Sequence, residues 1–239
     1  MQSLLRIAFP PQCVSCGEMV EDSFGLCGPC WRDTAFITGT VCVKCGCPLP
    51  GAASADADDI CDDCMSIARP WDRGRAALIY RDNARRLVLA LKHGDRLDLA
   101  RPASRWMAGV AAPCLAEDSV LVPIPAHYTR LLRRRYNQSA VLAQALARVL
   151  HRPCIPDLLR RARRTRMQDG MSREERFRNM AQAIRPGRRA AQRLAGRAVL
   201  LVDDVMTSGA TLAAAAEAAH QAGARQVCVL VLARVAKDA

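Results

Sequence analysis

Two hydrophobic rhythms organise the chain from residue 75 onward. Short apolar runs at Arg75–Tyr80, Ser119–Pro125, Leu158–Ala162, Ala198–Val202 and Gln226–Ala233 read as strands. Between them, Asn83–His93 sets Leu87, Val88 and Leu91 at helical spacing and stops at Gly94. Leu97–Leu115 continues as a second helix, interrupted near Pro102 and Pro113. Gln138–Leu150 is an amphipathic helix, and Thr211–Gln221 is an Ala-rich helix closed by Gly223. The runs at Ala198–Val202 and Gln226–Ala233 are nearly continuous in Val and Leu, as in strands buried on both faces. Strands alternating with helices predict an α/β domain, a parallel sheet with flanking helices, over residues 71–239.

Residues 1–70 are organised by cysteine instead. Four pairs share one spacing: Cys13-x-x-Cys16, Cys27-x-x-Cys30, Cys42-x-x-Cys45 and Cys61-x-x-Cys64. Two intervening residues let both sulfurs reach one ion while backbone N–H groups point at them, and Gly17 and Gly46 supply the tight turn. Eight thiolates fill two tetrahedral four-cysteine zinc sites, which act in folding because no coordination position stays open. Sequential pairing makes a double zinc ribbon; an interleaved cross-brace is the alternative. Cys47, Cys114, Cys154 and Cys228 read as bystanders, and Pro48–Asp59 as a Gly/Ala/Asp loop inside the second site.

Charge divides the chain at the same place. Residues 1–70 hold 4 basic and 9 acidic side chains, whereas residues 130–197 hold 19 Arg against 4 acids. The formal net charge of +12 averages an acidic, Cys-rich module with a strongly basic body. Clustered arginine suits the sequence-independent grip of a nucleic-acid backbone, here with few aromatic residues for base stacking. No apolar run is long enough for a membrane span. Met1–Pro11 is short, carries one Arg and lacks a small-residue cleavage site, so it is not read as a signal peptide. Together with this use of cysteine, that points to the cytoplasm.

The most chemically specific stretch is Val199–Thr211. A buried strand runs into Asp203 and Asp204, then into Val205, Met206, Thr207, Ser208, Gly209, Ala210 and Thr211 at the start of a helix. Hydroxyls and free N–H groups at a helix N-terminus suit a phosphate. Two adjacent carboxylates repel phosphate and suit sugar hydroxyls or Mg²⁺. The loop therefore asks for a phosphorylated ribose. A plain helix cap of Asp and Thr is the competing reading.

Leu201–Thr211 resembles the phosphoribosyl-pyrophosphate (PRPP) loop of type I phosphoribosyltransferases. Further motifs sit in order along the chain: Tyr80, Leu91-Lys-His-Gly94, Val122-Pro-Ile-Pro125, Arg134-Arg-Tyr-Asn-Gln138, Thr165-x-x-Gln168-x-x-Met171 and Arg176-x-x-Asn179. With the cysteine module in front, nearly the whole chain resembles the ComF family, the ComFC/GntX-like proteins of natural competence. The resemblance implies a type I phosphoribosyltransferase-like fold behind a double zinc ribbon. It also implies binding of PRPP or a related phosphorylated ribose with Mg²⁺, and handling of incoming single-stranded DNA beside a DNA-translocation machinery. By this reading Asp203 and Asp204 are the catalytic pair and Thr207–Thr211 hold the 5′-phosphate. Arg130, Arg133, Arg134, Arg135, Asn137, Gln138 and Arg176 face pyrophosphate or DNA, and Arg160–Asn179 forms a flap. Arg135 and Tyr136 depart from the family's Gly and Phe, and Met171 from its Leu. No base for an acceptor stands out, and His127 reads as a turn residue. A non-catalytic PRPP or nucleotide sensor, adapting DNA for transformation, remains the alternative.

Overall fold

The computed structural model describes residues 10–51, 59–93, 96–126, 136–163, 165 and 170–236. Its strands are β1 (Arg73–Ile79), β2 (Val120–Pro123), β3 (Leu159–Arg161), β4 (Ile184–Pro186), β5 (Ala198–Met206) and β6 (Gln226–Arg234). Its helices are α1 (Gly28–Arg32), α2 (Asp62–Ser66), α3 (Asp82–His93), α4 (Ala100–Val110), α5 (Gln138–Leu150), α6 (Arg173–Met180), α7 (Ala190–Leu194) and α8 (Ala210–Gln221). None of these is long and apolar enough to cross a membrane.

β1, β6, β5 and β2 form, in that order, an all-parallel sheet with helices on both faces. Alternation along the strands sends successive side chains to opposite layers. Val199, Leu201, Val227 and Val229 meet α7 and α8, whereas Leu200, Val202, Leu230 and Leu232 meet α3, α4 and α5. Both faces being covered explains why the strands read as continuous apolar runs. Ala215, Ala216 and Ala219 are fully buried, so α8 lies close to the sheet because its inner side chains end at Cβ.

The cysteine module closes the β1 edge of this sheet, where unpaired backbone groups would otherwise face water. The Ile37 N–H donates to the Ala77 carbonyl and the Ile79 N–H to the Ala35 carbonyl. Further along, the Gly74 N–H donates to the Val43 carbonyl. A Cβ on Gly74 would lie 2.2 Å from the Lys44 carbonyl oxygen, and one on Gly46 2.6 Å from the Ala76 nitrogen. The Cys42–Cys45 knuckle thus rests on β1 with no room for side chains between.

Several elements differ from the sequence reading. β5 extends through Met206, so Asp203 and Asp204 belong to the strand itself and not to the loop after it. Leu97–Leu115 is a 3-10 turn (Leu97–Leu99), α4, and a second 3-10 turn (Ala112–Cys114). Pro102 is accommodated in the first turn of α4, where no intrahelical N–H bond is lost. β3 leaves the main sheet to pair antiparallel with β4. α6, β4 and α7 carry too few apolar residues to show a period. The expected flap at Arg160–Asn179 contains part of β3 and nearly all of α6, which starts with a full capping box between Ser172 and Glu175.

Candidate functional site

The carboxyl edge of the parallel sheet collects the residues that carry chemistry. Asp203 and Asp204 end the apolar part of β5, and two helices converge on them. The Ser139 hydroxyl, on the first turn of α5, donates to Asp203 Oδ1 at 2.7 Å, and the Asp204 N–H donates to the same oxygen at 2.9 Å. Lys92, near the end of α3, places Nζ 3.2 Å from Asp204 Oδ1. Asn137 caps α5 by accepting from the Ser139 N–H, and its amide donates to the Ile124 carbonyl at 2.9 Å. Gln138 donates to the Lys92 carbonyl and the Tyr136 hydroxyl to the Leu91 carbonyl. The motif containing Asn137 and Gln138 therefore stitches α3, β2 and α5 together around the acid pair. The enclosed Asp203 carboxyl is pushed up to about 7, first by loss of water and then by the neighbouring Asp204 charge.

After β5 the chain turns through Thr207, Ser208 and Gly209 into α8. Gly209 is the N-cap and sits in the left-handed region at φ 83°, a conformation that glycine adopts freely. A small open cleft is lined by Asp203, Thr207, Gly209 and Thr211. The first N–H groups of α8 lie at this loop, adjacent to the carboxylates. One side of the cleft suits an anion and the other suits hydroxyls or a cation.

The cysteines form two separate clusters. Cys13, Cys16, Cys27 and Cys30 make one, and Cys42, Cys45, Cys61 and Cys64 the other; within each, the sulfurs lie within 4.8 Å of one another. Cys16 and Cys27 sulfurs are 3.5 Å apart and those of Cys45 and Cys61 3.6 Å. Four thiolates at about 2.3 Å from zinc have edges of about 3.8 Å, so both clusters fit a tetrahedral ion. The pairing is sequential and not interleaved. Cys27 and Cys61 are the N-caps of α1 and α2, and Gly17 and Gly46 close the first knuckles at φ 83° and 69°. Cys47 contacts Cys45 but stands outside the four. Cys114 and Cys228 are buried against each other, and burial pushes the Cys154 thiol up to about 11.

Comparison with known proteins follows the same division. Residues 4–71 match the family model described as "Double zinc ribbon domain", and residues 137–239 match "Phosphoribosyl transferase domain". A protein of Escherichia coli (strain K12) described as "DNA utilization protein YhgH" is 30% identical over 216 residues, covering 88% of this chain and 91% of that one. "Competence protein F" of Haemophilus influenzae is 26% identical, covering 93% and 96%. "Competence protein ComFC" of Bacillus subtilis is 26% identical, covering 83% and 79%. The chain belongs to the ComF family. ComF-family membership makes it a competence and DNA-utilization family protein with a phosphoribosyltransferase domain and a double zinc ribbon. Among solved structures, "Structure of the allosteric regulatory enzyme of purine biosynthesis" is similar over 60% of this chain and 30% of that one, at 16% identity and a TM-score of 0.39. That likeness is too slight to bear on function.

Of the residues expected at the site, Asp203 to Thr211, Asn137 and Gln138 come together at the sheet edge. Arg176 lies on α6, which packs against α8. Arg130, Arg133, Arg134, Arg135, His127, Gly94 and Gln168 lie outside the described residues. Sequence reasoning gives no role to Ser139, Arg69 or Arg234, and takes Lys92 only as a position of the Leu91-Lys-His-Gly94 motif. For Lys92 a signal is present: the chain has 32 Arg but only three Lys, so a lysine inside that motif is conspicuous.

Proposed function

We propose that the chain binds PRPP or a related phosphorylated ribose together with Mg²⁺, and transfers its phosphoribosyl group. The observation that carries this reading is the join of β5 to α8: two adjacent carboxylates followed at once by a left-handed glycine opening a helix. The 5′-phosphate lies on the N–H groups and hydroxyls of Thr207–Thr211, and Asp203 and Asp204 take the ribose hydroxyls and Mg²⁺. Mg²⁺ and arginine would neutralise pyrophosphate as it departs from an oxocarbenium-like carbon. Arg130, Arg133, Arg134 and Arg135 are assigned to that role as the basic run that leads in sequence into the Asn137-Gln138 motif.

We also assign single-stranded DNA to the basic surface, in keeping with a cytoplasmic protein that works beside a DNA-translocation machinery. Arg160 and Arg185 are directly opposed across β3 and β4, and both are exposed. Like charges facing across a strand pair are unfavourable, and a phosphate backbone relieves the repulsion. Arg178, Arg188, Arg189 and Arg193 are exposed on the neighbouring segments.

A non-catalytic sensor is the second reading. It is favoured by one observation: both carboxylates already have protein partners, Ser139 and Lys92, and neither is left as an obvious base for an acceptor. Incubation with Mg²⁺-PRPP and candidate acceptors (bases, amines, DNA ends) separates the two. Released pyrophosphate supports the transferase. PRPP binding by calorimetry with no release for any acceptor supports the sensor. Unchanged PRPP binding in the Asp203→Asn, Asp204→Asn double variant refutes the loop assignment for both.

A further inference from the structure

The second cysteine cluster lies directly behind the β5–α8 loop, and two arginines bridge them. Arg69 Nη1 donates to the Ser208 carbonyl at 2.6 Å, and the same guanidinium lies over the Trp71 ring, which shares an apolar cluster with Cys64. Arg234, only 3% exposed, donates from Nη1 to the Thr207 carbonyl at 2.6 Å and to the Met206 carbonyl at 3.3 Å. Its Nη2 lies 3.8 Å from Asp63, the residue before Cys64. The Cys42–Cys45 knuckle holds this arrangement in place. Trp71 Nε1 donates to the Lys44 carbonyl, Lys44 Nζ donates back to the Trp71 carbonyl, and the Trp71 ring lies under Arg69.

Two successive carbonyls of the loop, from Thr207 and Ser208, are therefore held by guanidinium groups on the side facing the cysteines, while the Met206 carbonyl ends the strand ladder by accepting from the Val235 N–H at 3.0 Å. The peptide bonds here are trans. In a trans peptide the N–H points opposite to the carbonyl. Holding these oxygens back turns the N–H groups of Ser208 and Gly209 the other way, toward the cleft, as an anion site requires. Charge supports the same arrangement. A zinc ion with four thiolates carries a net charge of about −2, which two guanidinium ions balance; thiols without the metal are neutral when protonated and leave both arginines without that partner.

We propose that Arg69 and Arg234 are positioning residues of the phosphate loop, and that through them zinc in the Cys42/Cys45/Cys61/Cys64 site and phosphate on the loop strengthen each other's binding. The coupling rests on the phosphate-loop reading above. By linkage it must appear from both ends.

The test uses the full-length, zinc-loaded chain with ribose 5-phosphate as the probe. Calorimetry measures its affinity, and a chromogenic chelator follows release of the two zinc ions. Saturating ribose 5-phosphate is expected to slow one of the two release phases about fivefold or more and leave the other unchanged. Arg69→Gln is expected to keep two zinc ions and the wild-type circular dichroism, weaken ribose 5-phosphate about fivefold or more, and abolish the protection. Arg69→Lys, which keeps the charge with a single donor head, is expected to restore part of both; it also serves where the Gln variant fails to load zinc. Bound ribose 5-phosphate with both release phases unchanged overturns the coupling and leaves the loop assignment standing. No binding to the wild-type chain by either ribose 5-phosphate or PRPP overturns the loop assignment, and the coupling with it.

Discussion

The two cysteine clusters share a ligand set and a spacing, yet they sit in different surroundings. The first is at the periphery. Cys16 is exposed, and the cluster is tied to the body through Ser15, whose hydroxyl donates to Asn83 at 2.5 Å and also contacts Arg86, and through Phe24 under Arg101. The second is within the main core. Cys42 and Cys45 are fully buried in the same apolar layer as Val199, Leu201 and α8. Identical ligand chemistry therefore serves one site as an anchor at the sheet edge and the other as the wall behind the β5–α8 loop. What a four-cysteine site does is decided by what its outer hydrogen bonds reach.

The largest expected effect tests that contrast. Cys45→Ser should lose its zinc and about 5 kcal/mol or more of stability, and ribose 5-phosphate binding should disappear with it. Cys16→Ser should lose one zinc and lower the melting temperature, but hold affinity within about threefold. Zinc content, thermal unfolding and calorimetry on the pair decide the matter; equal losses of affinity would erase the distinction.

Asp203 is next. An acid whose folded value is raised to about 7 binds its proton more tightly when folded, so stability falls as pH rises from about 4 to about 7. Asp203→Asn removes the enclosed charge. It should raise stability at pH 8 by about 2–4 kcal/mol, change little at pH 5, and cost about 100-fold or more in Mg²⁺-PRPP affinity. For the wild-type chain, affinity should drop as pH is lowered through about 7, because the protonated acid no longer holds the cation. A flat profile between pH 6 and pH 8 would remove Asp203 from the ligand.

Gly209→Ala probes the contact between loop and second cluster directly. An added Cβ meets Arg69 Nη1 at 2.6 Å and the Trp71 ring at 3.2 Å, at a backbone angle that alanine adopts poorly. A loss of about 1–3 kcal/mol is expected, measured by chemical denaturation. The smallest effect belongs to the exposed pair on the small sheet. Arg160→Ala with Arg185→Ala should gain a few tenths of a kcal/mol by removing repulsion. It should also reduce the log–log salt slope of single-stranded DNA binding by about 1 to 2. An unaltered slope takes that face out of the DNA surface.

Legibility follows interaction range. Gln138–Leu150 is readable to the residue, because an Asn cap and a 3.6-residue period are local signals. The buried strands are readable as apolar runs, but the run in β5 stops at Val202: two carboxylates look like a loop, and only the register with β6 keeps Asp203 and Val205 in the ladder. α6, β4 and α7 escape sequence reading for want of apolar pattern. Within the site, Asp203 to Thr211 form one contiguous motif and are legible. Lys92, Ser139, Arg69 and Arg234 are not, since their meaning lies in partners 64 to 139 residues away for the longer-range contacts of Ser139 and Arg69.

The sequence alone determined the ligand chemistry of the cysteines, the α/β class and the strand–carboxylate–glycine–helix order, because each depends on residues close together in the chain. Tertiary structure decided the sequential pairing of the clusters, the partners of the two carboxylates and the placing of the second cluster behind the loop. These depend on where a parallel sheet brings distant segments, and packing of both its faces sets that position.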